Sequence, residues 1–118
     1  MAQSTAAQLA AYDRRYRALA AQLAEIGYIS AGSLALRHNR CGKSSCHCHA
    51  DPPQLHGPYW QWTAKVDGKT VNRRLTPTQA KLYSEWIDND RRLRDLIQQM
   101  RQIATKAAEL RIAQAAKV

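Results

Sequence analysis

Three cysteines and three of the four histidines crowd one stretch of this chain, where residues 40–58 read Arg-Cys-Gly-Lys-Ser-Ser-Cys-His-Cys-His-Ala-Asp-Pro-Pro-Gln-Leu-His-Gly-Pro. Cys41, Cys46 and Cys48 follow a C-x4-C-x-C spacing, and three thiolates with one imidazole make the soft, four-coordinate donor set that suits zinc. His56, His49 and His47 compete for the fourth place. In an extended segment Cys46 and Cys48 share a side, which turns His47 away from both. His56 closes the larger loop, and the Gly57-Pro58 that follows fixes it at the start of a strand. It is the preferred ligand, with His49 second. The expected cofactor is therefore one structural zinc on Cys41, Cys46, Cys48 and His56, with Gly42 allowing the tight turn that ligand loops need. A 19-residue connection without strand or helix period needs a reason. The middle of the chain, roughly 49 residues, is too small to hold such a loop by core packing alone.

Other chemistries use the same residues. Three reduced cysteines without metal, or an iron–sulfur cluster, would also fit C-x4-C-x-C with a histidine. Three thiols within eight residues do not read as a disulfide framework. A nucleophilic Cys46 or Cys48 with a histidine base would require an acid and an oxyanion pocket that the sequence does not announce, so no enzyme is expected. Gly42-Lys43-Ser44 has the ending of a phosphate-binding loop, but that motif requires glycine where Arg37 stands.

The elements that must position these residues are legible from periodicity. Leu9, Tyr12, Tyr16, Leu19, Leu23 and Ile26 repeat at three and four, one apolar face of a helix that Ser4 or Thr5 can cap and Gly27 can stop. Thr76-Pro77 opens a second helix that runs to about Ala115. Its seam is Leu82, Trp86, Asn89, Leu93, Leu96, Met100, Ile103, Ala107 and Leu110, with Asn89 a candidate for fixing register. That seam is longer than the first helix can cover, so a second copy of the chain is expected to take the surplus in a coiled-coil-like or four-helix dimer. Between the helices the period becomes two. Leu34, Leu36 and His38 mark one strand, and Tyr59 to Val66 a second. Asp67-Gly68 is a two-residue hairpin turn that pairs 66 with 69, 64 with 71, 62 with 73 and 60 with 75. One sheet face then carries Trp60, Trp62, Ala64, Val71 and Leu75 for packing on the helices, with Arg73 placed to lie on the Trp62 indole. The expected fold is a single α+β domain: an N-terminal helix (1–26), a three-stranded antiparallel sheet with its Cys/His loop (27–75), and a long C-terminal helix (76–118).

The 118 residues carry 18 basic and 9 acidic side chains, a net +9, of which +1, +5 and +3 fall in those three segments. Such a balance favours polyanions, and the excess is concentrated in the strand-and-loop segment. Gln61, Lys65, Asn72 and Arg74 have the donor and acceptor types that read base edges, and Arg37, Arg40, Lys43 and Lys69 suit phosphates. Arg91, Arg92 and Arg94 are interspersed with Asp88, Asp90 and Asp95 and read as an ordinary charged helix face. No stretch approaches the roughly 20 apolar residues of a membrane span. Met1 to Ala11 has neither the basic nor the apolar region of a secretory signal, which makes a reducing, cytoplasmic location the expectation.

The pattern Gly32-Ser33-Leu34, Arg40-Cys41-Gly42-Lys43, Cys46-x-Cys48, His56-Gly57-Pro58-Tyr59-Trp60, Gly68-Lys69 and Arg73-x-Leu75-Thr76 resembles an uncharacterised bacterial domain-of-unknown-function family. The resemblance covers about residues 26–90. It implies flanking helices, frequent proximity to mobile genetic elements and a place for His56 in the site, with His47 and His49 outside the pattern. It brings no activity. The leading expectation is a double-stranded-DNA-binding protein with a structural zinc, a regulator or accessory factor of a mobile element. In outline the three strands and helix are similar to the sheet modules with which integrases enter the major groove. The alternative is a zinc-stabilised scaffold that binds a protein partner.

Overall fold

A computed structural model describes residues 3–116. The order is α1 (Thr5–Leu23), β1 (Ser33–Asn39), a 3-10 turn (His47–His49), β2 (His56–Val66), β3 (Lys69–Leu75) and α2 (Pro77–Ala115). The fold is thus α+β, with one antiparallel sheet in the order β1-β2-β3. The chain divides into two compact units, Ile29–Asp88 and a helical unit of Met1–Tyr28 with Asn89–Val118.

In the unit Ile29–Asp88 the hairpin register is the one its turn dictates: Val66 pairs with Lys69, Ala64 with Val71, Trp62 with Arg73 and Trp60 with Leu75. Asp67 and Gly68 have φ of 53° and 78°, the positive pair that a two-residue turn demands. β2 begins at His56, three residues earlier than its alternation suggests. Asn39 pairs with His56 across an irregularity after Arg37, so the last residues of the loop are already strand. Gly57 makes this possible. Its φ is +113°, and a Cβ there would stand 2.7 Å from the Arg37 carbonyl oxygen.

Packing is concentrated where the strands meet the first turns of α2. Ala64, Leu75, Ala80 and Ile87 are buried. Trp62 and Tyr83 pack as a tilted pair with centroids 5.1 Å apart, Tyr83 meets Trp86 edge-on at 5.1 Å, and Trp62 Nε1 donates to the Ala31 carbonyl at 2.9 Å. The ring beside Trp62 is therefore Tyr83, and Arg73 donates to the Tyr83 hydroxyl at 3.3 Å instead of lying on the indole. The guanidinium on a ring is Arg74, 4.3 Å from the Tyr59 centroid on the other sheet face. The apolar face is covered only in part. Val71 was expected to pack on a helix but is 37% exposed, and Val66 beside the turn is also exposed, because the packed residues of α2 meet the other end of the hairpin. α2 starts on a reciprocal cap: the Thr76 hydroxyl accepts from Gln79 N at 3.1 Å, and Gln79 Oε1 accepts from Thr76 N at 2.9 Å.

In the helical unit α1 starts at a Ser4 cap, whose hydroxyl accepts from Ala7 N at 3.1 Å. It ends at Leu23, short of Gly27. Glu25 and Ile26 continue as tighter turns, bonded to the Gln22 and Leu23 carbonyls, so Gly27 is not the helix stop. Its role is proximity, since a Cβ would lie 3.2 Å from the Asn89 amide nitrogen. Asn89 spends that amide within its own chain, donating from Nδ2 to the Tyr28 carbonyl at 2.7 Å, and so ties down the segment after α1. Every apolar seam residue from Leu9 to Ile26 is half-buried, and on α2 Leu96 and Ile103 are buried. Leu82, counted in the same seam, lies in the other unit and is 44% exposed. Arg92 donates to Gln22 Oε1 across the helices.

Candidate metal centre

The loop after β1 and the first residue of β2 bring Cys41, Cys46, Cys48 and His56 together, with their ligand atoms all within 4.8 Å of one another. Backbone hydrogen bonds wrap the loop into successive turns: Cys46 N to Lys43 O, His49 N to Cys46 O and Ala50 N to His47 O, each near 3.0 Å. Those turns put Cys46 on one side of the 3-10 segment and seat Cys48 inside it with 0% exposure.

The spacing of the donors can be compared with a metal's requirement. A tetrahedral ion with arms of about 2.3 Å to sulfur separates two sulfurs by about 3.8 Å, and a sulfur from an imidazole nitrogen by about 3.6 Å. Cys41 Sγ and Cys48 Sγ are 3.6 Å apart, and Cys46 Sγ is 3.3 Å from His56 Nε2. The four groups fit a bound metal ion, and both spacings are slightly shorter than a filled tetrahedron would set.

Electrostatics divides the thiols. Cys46 is lowered to about 6, chiefly by the Cys48 backbone N–H directed at its sulfur, against the opposing effect of burial. Cys48 is raised, chiefly by burial, although the Cys41 N–H donates to its sulfur at 3.3 Å. A cation at the centre would offset the burial cost of the second thiolate as well as taking the first.

The other two histidines are held beside the cluster. His49 Nε2 lies 2.6 Å from the Cys41 carbonyl and donates to it, so this second choice for the fourth ligand braces the loop backbone. His47 packs its ring on His56, centroids 5.2 Å apart, with Nδ1 3.8 Å from Cys46 Sγ. Both roles follow from the 3-10 turn, a conformation that no periodicity in residues 47–49 announces.

The basic and polar residues expected to meet nucleic acid are distributed by the register. Arg37, Gln61, Lys65, Asn72 and Arg74 lie on one sheet face, together with Tyr59 and Thr63. Thr63 Oγ1 donates to Asn72 Oδ1 at 2.8 Å, which leaves donation to the Nδ2 end of that amide. Lys69 pairs with Val66 and so belongs to the opposite face. Arg40 and Lys43 flank Cys41 in the loop. Tyr59 belongs both to the alternation and to the family pattern, and its partner Arg74 is its diagonal neighbour across β2 and β3.

A small α+β chain whose three-stranded sheet carries a Cys3His cluster able to hold a metal ion is the class that fold and site define. The chain belongs to the family described as Domain of unknown function (DUF6788), whose model matches residues 9–84. The match starts within α1 and ends in the first turns of α2, so it takes in the cluster and the whole sheet. No curated protein and no solved structure matches the chain. Among the described residues no helix is long and apolar enough to cross a membrane.

Proposed function

We propose that this protein binds double-stranded DNA without catalysing a reaction, and that its Cys3His cluster holds a structural zinc. The observation that carries the reading is the shared sheet face of Arg37, Gln61, Lys65, Asn72 and Arg74. A two- or three-stranded ribbon is narrow enough for the major groove, and these side chains combine base-edge donors and acceptors with phosphate-binding charge. Arg74 is held in place over Tyr59, which reduces the entropy lost when it meets a base edge. Zinc fits because thiolate and imidazole are its preferred donors in closed structural sites. By clasping the loop it would keep Arg40 and Lys43 beside the end of β1.

Gel-shift titration of the full chain at several salt concentrations tests the DNA reading. Binding is expected to weaken steeply with salt and to be lost in the double variant Lys65→Ala with Arg74→Ala. Absence of binding even at low salt removes this reading in favour of a zinc-stabilised scaffold for a protein partner.

We infer also that the working unit is two chains. α1 has no fully buried residue, and the helical unit keeps a groove of about 530 Å³ lined by Leu9, Tyr12, Tyr16, Ile103 and Ala107 among others. A second helix pair would cover it. Light scattering at micromolar concentration is expected to give the dimer mass, and a monomeric mass contradicts the inference.

A further inference from the structure

β3 is an edge strand, hydrogen-bonded to β2 on one side only, so its other side presents a row of backbone groups to whatever comes alongside. Arg73 and Arg74 are consecutive strand residues and face opposite sides of the sheet. Both nevertheless line one groove of about 490 Å³, which Leu82, Tyr83 and Trp86 of α2 complete. A groove reached from both faces at a single strand opens along that strand's edge. Its wall is apolar where Leu82, an exposed leucine, stands beside two aromatic rings. Its charge is positive: two arginines line it, and among the described residues no carboxylate does. Arg73 is already held by the Tyr83 hydroxyl at 3.3 Å.

We propose that this groove takes an extended acidic segment of a protein partner, added along β3 as a fourth strand with an apolar side chain seated on Leu82, Tyr83 and Trp86. Strand addition supplies affinity through main-chain hydrogen bonds and specificity through alternate side chains, and an edge strand beside a helix provides both. Charge selects the occupant. Pairing β3 with the β3 of a second copy would bring two strands that each carry Lys69, Arg73 and Arg74 side by side, and like charges brought together across strands are unfavourable. Carboxylates of a partner segment would instead meet the guanidinium groups in charge-assisted hydrogen bonds.

The test pans the full chain against phage-displayed random octapeptides, then measures the best sequences as synthetic peptides by fluorescence anisotropy. Enriched sequences are expected to alternate apolar with polar residues and to contain Asp or Glu. Leu82→Glu should weaken their binding by about tenfold or more, as loss of a central apolar anchor does. Arg73→Glu should select against acidic sequences, and a proline at alternate peptide positions should abolish binding by removing a ladder N–H. Leu82 is exposed, so its variant is expected to keep the wild-type circular dichroism, and Arg73→Glu gives an independent readout if it does not. The proposal is overturned if no sequence is enriched, if binding is indifferent to both variants, or if Leu82→Glu turns a dimer into a monomer, which would assign the edge to a second copy.

Discussion

Cys48→Ala is expected to abolish metal binding at the Cys3His cluster and to release the loop that the cluster closes. Cys48 is fully buried, accepts the Cys41 N–H, and lies 3.6 Å from Cys41 Sγ, so the substitution removes a donor and a backbone anchor together. Losing a group that merely orients a ligand costs about 10–100-fold in metal affinity, and losing the ligand itself should cost at least about a hundredfold. Segment 40–55 contains no strand, and Cys48 is its fully buried residue. With the clasp open it should become a protease target at Arg40 and Lys43, while the β2–β3 hairpin keeps its register through the Asp67-Gly68 turn. Metal stoichiometry and limited trypsin digestion of the purified variant check both halves of the expectation. His49→Ala should do less, loosening the loop by one hydrogen bond while the four donors remain.

Gly32→Ala is the second large effect, and it acts at the other end of β1. Gly32 has φ +104°, and a Cβ there would stand 2.5 Å from the Thr63 carbonyl oxygen, 2.7 Å from Trp62 Nε1 and 2.9 Å from Ala64 Cβ. Two of those three neighbours resist movement, because Thr63 pairs with Ser33 in the ladder and Trp62 is fixed by the Ala31 carbonyl and the Tyr83 ring. Backbone strain of about 1–3 kcal/mol and overpacking of about 1–3 kcal/mol together predict a loss of roughly 2–6 kcal/mol. Thermal denaturation should show a large fall in the midpoint. The cluster lies at the Asn39–His56 end of the same strand pair, so metal stoichiometry at low temperature should be preserved. This contrast separates damage to the sheet from damage to the clasp.

How much of this was legible in the sequence depended on whether the determining interaction was local. The hairpin was readable to the residue because Asp67-Gly68 fixes its own register, and the start of α2 was readable because Thr76, Pro77 and Gln79 are neighbours in the chain. Cys41, Cys46, Cys48 and His56 were readable as a group because their chemistry is shared and rare. The roles of His47 and His49 were not, since they depend on a 3-10 turn whose residues show no period. Gly27 does not stop the helix for a related reason: the group a Cβ there would approach is Asn89 Nδ2, 62 positions away in sequence and beyond any local pattern. Arg73 does not reach the Trp62 indole because Tyr83, contributed by α2, takes the place beside it and accepts the Arg73 hydrogen bond. The cation–π pair then formed with Tyr59 on the far face.

The Cys3His cluster is proposed to hold one zinc ion on three sulfurs and one imidazole. Elemental analysis with zinc X-ray absorption on protein purified without chelator tests it most directly. One zinc per chain is predicted, with about three sulfurs near 2.3 Å and about one nitrogen near 2.0 Å. Protein that carries no metal while its loop remains protected from trypsin, or a zinc shell of oxygen and nitrogen alone, would contradict it.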